Sequence, residues 1–426
     1  MLKRYQKNIS ESHLLRAGVL LTSANILTGV LQYVYQIVVG RMLEPAEFAL
    51  SSTIMALSMF CSSPLGAMFN IISKRVSTLR AYSGFRSLNI LYRNAHFIVL
   101  MSGILCGLIF LVYSEDLQSY VKSPTESSVW IFFFIVAFGA FFQINNAFFQ
   151  GSQRFGWLCG SVTLSVTLKF VFSLLLIYWG FGVSGALIGV LLSSILVWLF
   201  GVSRIINYYP ETEQSEQAAG KFPYSYILPV LIANVAFSVM TQLDMVLVNH
   251  YFTAEEAGLY AAASVLGKAV LYLPSGLVMA LFPFVAENRA KNESSAHILV
   301  QSAAVTAVLC GAAAIFYWLT ADLLVDMLFG QEYEGAGELL RWYGFAIFPM
   351  ALTMVAEYFL IAQGRVLFTW LFLCMAPIQI FAIYLWHDEL WMIVMIIGVC
   401  STSLAVMGYG YLFYQYYLKA SRRKKN

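Results

Sequence analysis

Val38-Val39-Gly40-Arg41-Met42-Leu43-Glu44-Pro45-Ala46-Glu47-Phe48 ends one long apolar run and starts another. The run before it, near 14–40, and the run after it, near 46–72, each hold the roughly 20 residues needed to cross a bilayer core. Between them, Glu44-Pro45 carries a helix-start signal, with proline at the first helical position, where a missing N–H costs nothing. The stretch therefore reads as a turn between two antiparallel membrane helices. The first run is too long for a signal-peptide core and has no small-residue cleavage site after it, so it is expected to be the first span.

The same pattern fills the chain. Of its 426 residues, 60% are hydrophobic and 11% charged, and the mean hydropathy is +0.74. Soluble domains carry roughly 25% charged residues, so a water-soluble core is excluded. Apolar runs near 14–40, 46–72, 93–113, 128–149, 156–178, 182–204, 224–250, 257–286, 296–319, 339–362, 367–386 and 390–418 predict an all-α polytopic protein with twelve transmembrane helices. The six cysteines all fall within these runs and read as small packing residues, without disulfide or metal spacing.

Charge orients the spans. With the N-terminus in the cytoplasm, nineteen of the 25 Lys and Arg residues lie in inner segments and only Arg41, Lys122 and Arg341 in outer ones. That is the positive-inside asymmetry. An even number of spans then places both termini in the cytoplasm. Arg16, Lys169 and Lys268 are left inside apolar stretches, where a cation is costly and calls for an explanation.

The opening stretch also has a counterpart. Ala24-Asn25 recurs as Ala233-Asn234, 209 positions later, and at the same shift Val38-Val39 meets Leu247-Val248, Glu47 meets Glu256, and Leu50 meets Leu259. Thr253-Ala254-Glu255 supplies the second helix-start signal. Spans 4 and 10 end alike, in Phe148…Arg154 and Phe359…Arg365. The expectation is two six-helix lobes, 1–204 and 223–426, joined by a cytoplasmic linker at 205–222. Both halves begin on the same side, so the repeat is parallel, about an axis along the membrane normal, as in transporters whose halves rock against each other.

On these residues the chain resembles the multidrug/oligosaccharidyl-lipid/polysaccharide (MOP) exporter superfamily. Within it, the chain is most similar to the O-antigen (Wzx-type) polysaccharide flippases of this MATE-like fold. The turn 38–48 resembles the family's R-x-L-G-P-x-E-F-G, departing from it with Glu44 for the usual Gly and Ala49 for the Gly after Phe. Ser73-Lys74-Arg75 and Ala362-Gln363-Gly364-Arg365 are also family-like. The related lipid II flippases usually have fourteen spans. The resemblance implies a flippase in the bacterial cytoplasmic (inner) membrane, moving undecaprenyl-diphosphate-linked oligosaccharide (an O-antigen, capsule or exopolysaccharide unit) to the outer leaflet by alternating access, driven by a proton or cation gradient. The implied partners are that lipid-linked glycan and membrane lipids, with a glycan polymerase and chain-length machinery as further candidates. No nucleic acid, cofactor, metal or catalytic group is expected.

Candidate transport residues follow from cost in the membrane. Lys169, mid-span in Val166-Thr167-Leu168-Lys169, has no mid-membrane acid in its half to pair with. It is a candidate contact for the diphosphate, or a structural lysine bonded to backbone carbonyls or to hydroxyls such as Ser165 and Thr167. Lys268 has a neighbour in Asp244. By helix rise the two lie about 16 and about 9 Å below the ends of their helices, a gap that a lysine stem bridges. They form either a fixed pair or one that Asp244 releases on protonation. Glu357 is a second ion-coupling candidate, with Tyr358 and Gln363 as alternative structural partners. Arg16 either snorkels to headgroups or meets the entering diphosphate. Asn25, Asn145 and Asn146, with Gln32, Gln36, Gln143 and Gln242, are amides that bind sugar hydroxyls or neighbouring helices. Pro64, Pro229, Pro274, Pro283, Pro349 and Pro377 are expected to permit bending.

Two other functions compete with this one. A MATE-type multidrug/cation antiporter favours an anionic or aromatic cavity. A membrane glycan polymerase or ligase needs a sizeable outer loop with catalytic groups, and the largest here is about 20 residues, Thr320–Glu338. No G-x-x-x-x-G-K-[ST] motif is present for nucleotide hydrolysis.

Overall fold

A computed structural model describes residues 2–82, 85–206, 227–274, 285, 295–363, 365 and 367–425. The expected linker therefore lies almost wholly outside the described residues. So do Pro283, Gly364 and part of the expected span at 257–286.

The described chain is helical, without strands. In order, its helices are α1 (Leu2–Met42), α2 (Pro45–Tyr82), α3 (Phe85–Tyr120), α4 (Glu126–Gly151), α5 (Phe155–Leu176), α6 (Gly182–Ile206), α7 (Ile227–Tyr251), α8 (Ala254–Lys268), α9 (Ala296–Leu328), α10 (Ala336–Ala362), α11 (Leu367–Leu385) and α12 (Leu390–Lys425). Nine helical runs among the described residues are long and apolar enough to cross a membrane. The longest, Phe155–Ile206, is a hairpin of two. A π turn at Ile177–Phe181, with Gly180 at φ 88°, reverses the chain, and the Ser173 hydroxyl then donates to the Ala186 carbonyl at 2.8 Å. Only Gly readily takes that φ.

Both expected helix starts are present. Pro45 opens α2, and Thr253 caps α8 through a capping box with Glu256. Several helices overrun their apolar stretches. The segment between the second and third runs is mostly helix, since α2 continues to Tyr82 and α3 starts at Phe85. There the Arg80 guanidinium donates to the Ser152 carbonyl at the end of α4. The expected outer loop Thr320–Glu338 shrinks likewise. Helix α9 runs to Leu328 and α10 starts at Ala336. Within the remaining turn Tyr333 is fully buried against Phe48 and Phe329.

The chain packs into two compact units. The first comprises 1–43 and 61–227; the second comprises 44–60 and 228–426. The N-terminal part of α2 thus packs with the C-terminal half. Gly258 shows how: α8 passes so close to Pro45 that a Cβ at Gly258 would collide with the proline backbone. Ala49, Thr53 and Ile54 in the same part of α2 are buried. In the first unit, Val76, Leu88, Ile144, Ala147, Phe148, Phe149 and Ile205 form a core where α2, α3, α4 and α6 meet.

Candidate functional site

Two polar clusters stand out, one in each unit. In the first, Lys169 on α5 donates a hydrogen bond to the Gln32 side-chain carbonyl on α1. Its ammonium stands 4.2 Å from the centre of the Tyr35 ring. Gln32 and Tyr35 are three residues apart and share a helix face. Tyr35 is held in turn, its hydroxyl 3.4 Å from Ser173 one turn beyond Lys169. Gly189 on α6 makes room for Ser173. Lys169 is half-buried, and among the described residues no carboxylate lies within ion-pair distance of it. A cation held by an amide dipole and a π face is oriented but keeps its charge uncompensated. The serine and threonine named as its partners are replaced by groups from another helix.

In the second unit, Asp244 on α7 is 1% exposed and accepts three hydrogen bonds. Lys268 donates at 3.0 Å, Tyr260 at 2.8 Å and Tyr343 at 2.9 Å. Ser264 lies 3.2 Å from the Tyr343 hydroxyl. Tyr260, Ser264 and Lys268 follow at four-residue spacing along one face of α8. Gly267 admits the Tyr343 ring from α10. The Lys268 side chain keeps 15% exposure, so its charge is neutralised but not sealed off. The juxtaposition of Lys268 and Asp244 matches the expectation from helix rise. The two tyrosines were not anticipated. Tyr260 was open to recognition, since it lies two four-residue steps before Lys268 on one face of α8, but Tyr343 carried no local signal.

The other candidates are dispersed. Glu357 on α10 is 8% exposed, and among the described residues neither Tyr358, Gln363 nor any other group hydrogen-bonds it. Asn145 is 1% exposed. It accepts from the Tyr92 hydroxyl at 2.7 Å and donates to the Trp198 carbonyl at 2.9 Å. Trp198 donates to His96 Nε2 at 3.3 Å, and His96 Nδ1 faces the Tyr92 carbonyl at 3.0 Å, closing a ring that ties α3, α4 and α6. Asn146 is 3% exposed and accepts from Ser161 at 2.7 Å. Both amides are therefore built into helix packing here, whereas Asn25 is exposed on α1. Arg16 lies on α1, and its side chain is outside the described residues. No cluster of metal-ligating side chains occurs among the described residues.

A family model described as "Polysaccharide biosynthesis protein" matches residues 38–338, from the opening turn through most of the second unit. The chain belongs to this family. Among its relatives, the succinoglycan biosynthesis transport protein ExoT of Rhizobium meliloti is 28% identical over 216 residues, 49% of this chain and 42% of that one. The match spans about half the length of the curated relatives. Among solved structures, an inward-facing multidrug resistance MATE family transporter of the MOP superfamily superposes with TM-score 0.73 at 14% identity, covering 93% of this chain and 96% of that one. The lipid II flippase MurJ, inward closed, gives TM-score 0.60 at 13% identity over 93% and 87%. At such identities the likeness establishes the fold. This polysaccharide biosynthesis family member is a multi-pass, all-helical membrane protein with a MATE-like fold.

Proposed function

We propose that this protein is a flippase for undecaprenyl-diphosphate-linked oligosaccharide. It carries the lipid-linked glycan from the cytoplasmic to the outer leaflet of the bacterial inner membrane by alternating access. The observation that supports this is Lys169, a half-buried cation whose contacts, Gln32 and Tyr35, are both neutral. An anionic diphosphate moving through an apolar layer would supply the missing countercharge. The reading includes twelve spans, lobes 1–204 and 223–426 about the linker 205–222, a pseudo-two-fold along the membrane normal, and cytoplasmic termini. Arg16, Lys268, Asn25, Asn145 and Asn146 are the further substrate-contact proposals, the last two after a rearrangement that frees their amides. Asp244 and Glu357 are proposed to couple transport to a proton or cation gradient, and Asp244 to release Lys268 when protonated.

The test is glycan export from Lys169→Ala and Lys268→Ala variants at equal protein abundance. Loss of export in Lys169→Ala, recovered in part by Lys169→Arg, supports the cationic path. Wild-type export from both alanine variants overturns it. A second reading, cation or drug antiport, is favoured by Glu357, a buried acid without a hydrogen-bond partner among the described residues. Cation-driven drug efflux lost in Glu357→Gln, with glycan export intact, would select that reading.

A further inference from the structure

Helices α9 and α10 approach closely where Gly344 meets Ala314. A Cβ on Gly344 would stand 3.4 Å from the Ala314 Cα and 3.1 Å from the Tyr317 ring. Large side chains flank this close approach and stay partly exposed. Ile315 and Trp318 from α9 and Trp342 and Phe345 from α10 wall an open cavity of about 350 Å³. Trp318 meets Trp342 edge-on at 5.0 Å and Phe345 at 5.9 Å. The four side chains remain 55%, 42%, 46% and 40% exposed, in chain order. Both helices are apolar enough to cross a bilayer, so this cleft opens towards lipid.

One turn beyond Trp318, and next to Trp342 in sequence, Asp322 and Arg341 form an ion pair. Their side chains are 68% and 37% exposed. Asp322 also rests against Gly337, one turn before Arg341 on α10. The aromatic cleft is therefore capped by one carboxylate and one guanidinium held side by side. Tryptophans directly beneath a charged layer mark the level of lipid headgroups, and about 350 Å³ falls in the range of small-molecule sites, roughly 300–1,000 Å³.

The charges select the occupant. A diphosphate or phosphoglycerol headgroup would bring net negative charge beside Asp322. A phosphocholine has no N–H to donate to it. A phosphoethanolamine matches both halves, its phosphate accepting from Arg341 and its ammonium donating to Asp322. We propose that the α9–α10 cleft binds a zwitterionic phosphoethanolamine lipid, with an acyl chain between Trp318, Trp342 and Phe345 and the headgroup bridging Asp322 and Arg341. The site needs only that α9 and α10 lie in a membrane, and it holds whatever substrate the protein carries.

The experiment uses the full chain in phosphatidylcholine nanodiscs doped with dibrominated-chain lipids bearing ethanolamine, choline or glycerol headgroups. Bromine quenches tryptophan on contact. The chain has nine tryptophans, so the signal of this cleft is the difference between wild type and a Trp318→Phe/Trp342→Phe variant. That difference should half-saturate at about threefold or more lower mole fraction for the ethanolamine probe, a modest advantage because the ion pair is exposed. Asp322→Asn should abolish the ethanolamine-over-choline preference and favour the glycerol probe. Equal quenching of wild type and the double variant shows that no chain enters the cleft and overturns the proposal. Equal half-saturation for the three wild-type probes, or tightest binding of the glycerol probe, overturns the headgroup assignment without relying on any Asp322 variant.

Discussion

Tyr343 on α10 donates a 2.9 Å hydrogen bond to Asp244 on α7, 99 positions earlier in the chain. Tyr260 shares the same carboxylate oxygen, so the acid is solvated by phenols and one ammonium instead of water. Tyr343→Phe keeps the ring that fills the space over Gly267 but withdraws a donor from a buried charge. The expected cost is about 1.5–3 kcal/mol, read as a lowered melting temperature in detergent. Ser264→Ala touches the network only through the Tyr343 hydroxyl and should cost less. A Tyr343→Phe protein that melts like wild type would show that this bond contributes nothing net.

Asp244→Asn preserves shape while leaving Lys268 without its countercharge. Removing one partner of a fully buried pair costs about 3–5 kcal/mol. The Lys268 side chain keeps 15% exposure and can reach solvent, so the expected loss lies at or below the low end. If Asp244 also drives coupling, export should fall further than membrane abundance does. Normal export at normal abundance would remove Asp244 from the coupling scheme.

Gly258→Ala tests why the N-terminal part of α2 belongs to the second unit. The added methyl meets the Pro45 backbone, which has no rotamer to turn aside. Such overpacking costs about 1–3 kcal/mol. Gly139→Ala is the control, since nothing lies within 4 Å of a Cβ there. It should be neutral, or stabilising by up to about 1 kcal/mol through helix propensity. Equal melting temperatures for the two variants would refute the packing account.

Asn145→Ala and Asn25→Ala should separate by readout. The first breaks a closed ring of hydrogen bonds and leaves the Tyr92 hydroxyl unpaired in the interior, a loss of about 1–3 kcal/mol. Asn25 is exposed, so its removal should leave melting unchanged and lower export if the amide meets a sugar. A destabilised Asn25→Ala protein with full specific export would fit neither role.

The Lys169 cluster shows what was legible and what was not. Its lysine and Gln32 were each evident as polar groups in apolar runs, but nothing in the order of residues joined them. Their meeting depends on how α1 and α5 are rotated against each other, which turns the α1 face that carries Gln32 and Tyr35 towards Lys169. Asp244 and Lys268 were easier, because a short turn between α7 and α8 sets the register and helix rise does the rest. Asn145 was harder, since a buried amide binding a sugar and one binding a backbone carbonyl have the same sequence.

The membrane class, the apolar runs and the loop-charge asymmetry came from sequence alone, because hydropathy and charge sum locally along the chain and need no partner. The two helix starts at Pro45 and Thr253 did so for the same reason, since capping chemistry is complete within four residues. Only the tertiary structure decided that Tyr343 completes the shell of Asp244, that Tyr35 lies beneath Lys169, and that Glu44–Phe60 packs with the C-terminal half. Each of these depends on the rotation and close approach of helices far apart in sequence, which small residues such as Gly258 and Gly267 permit but do not announce.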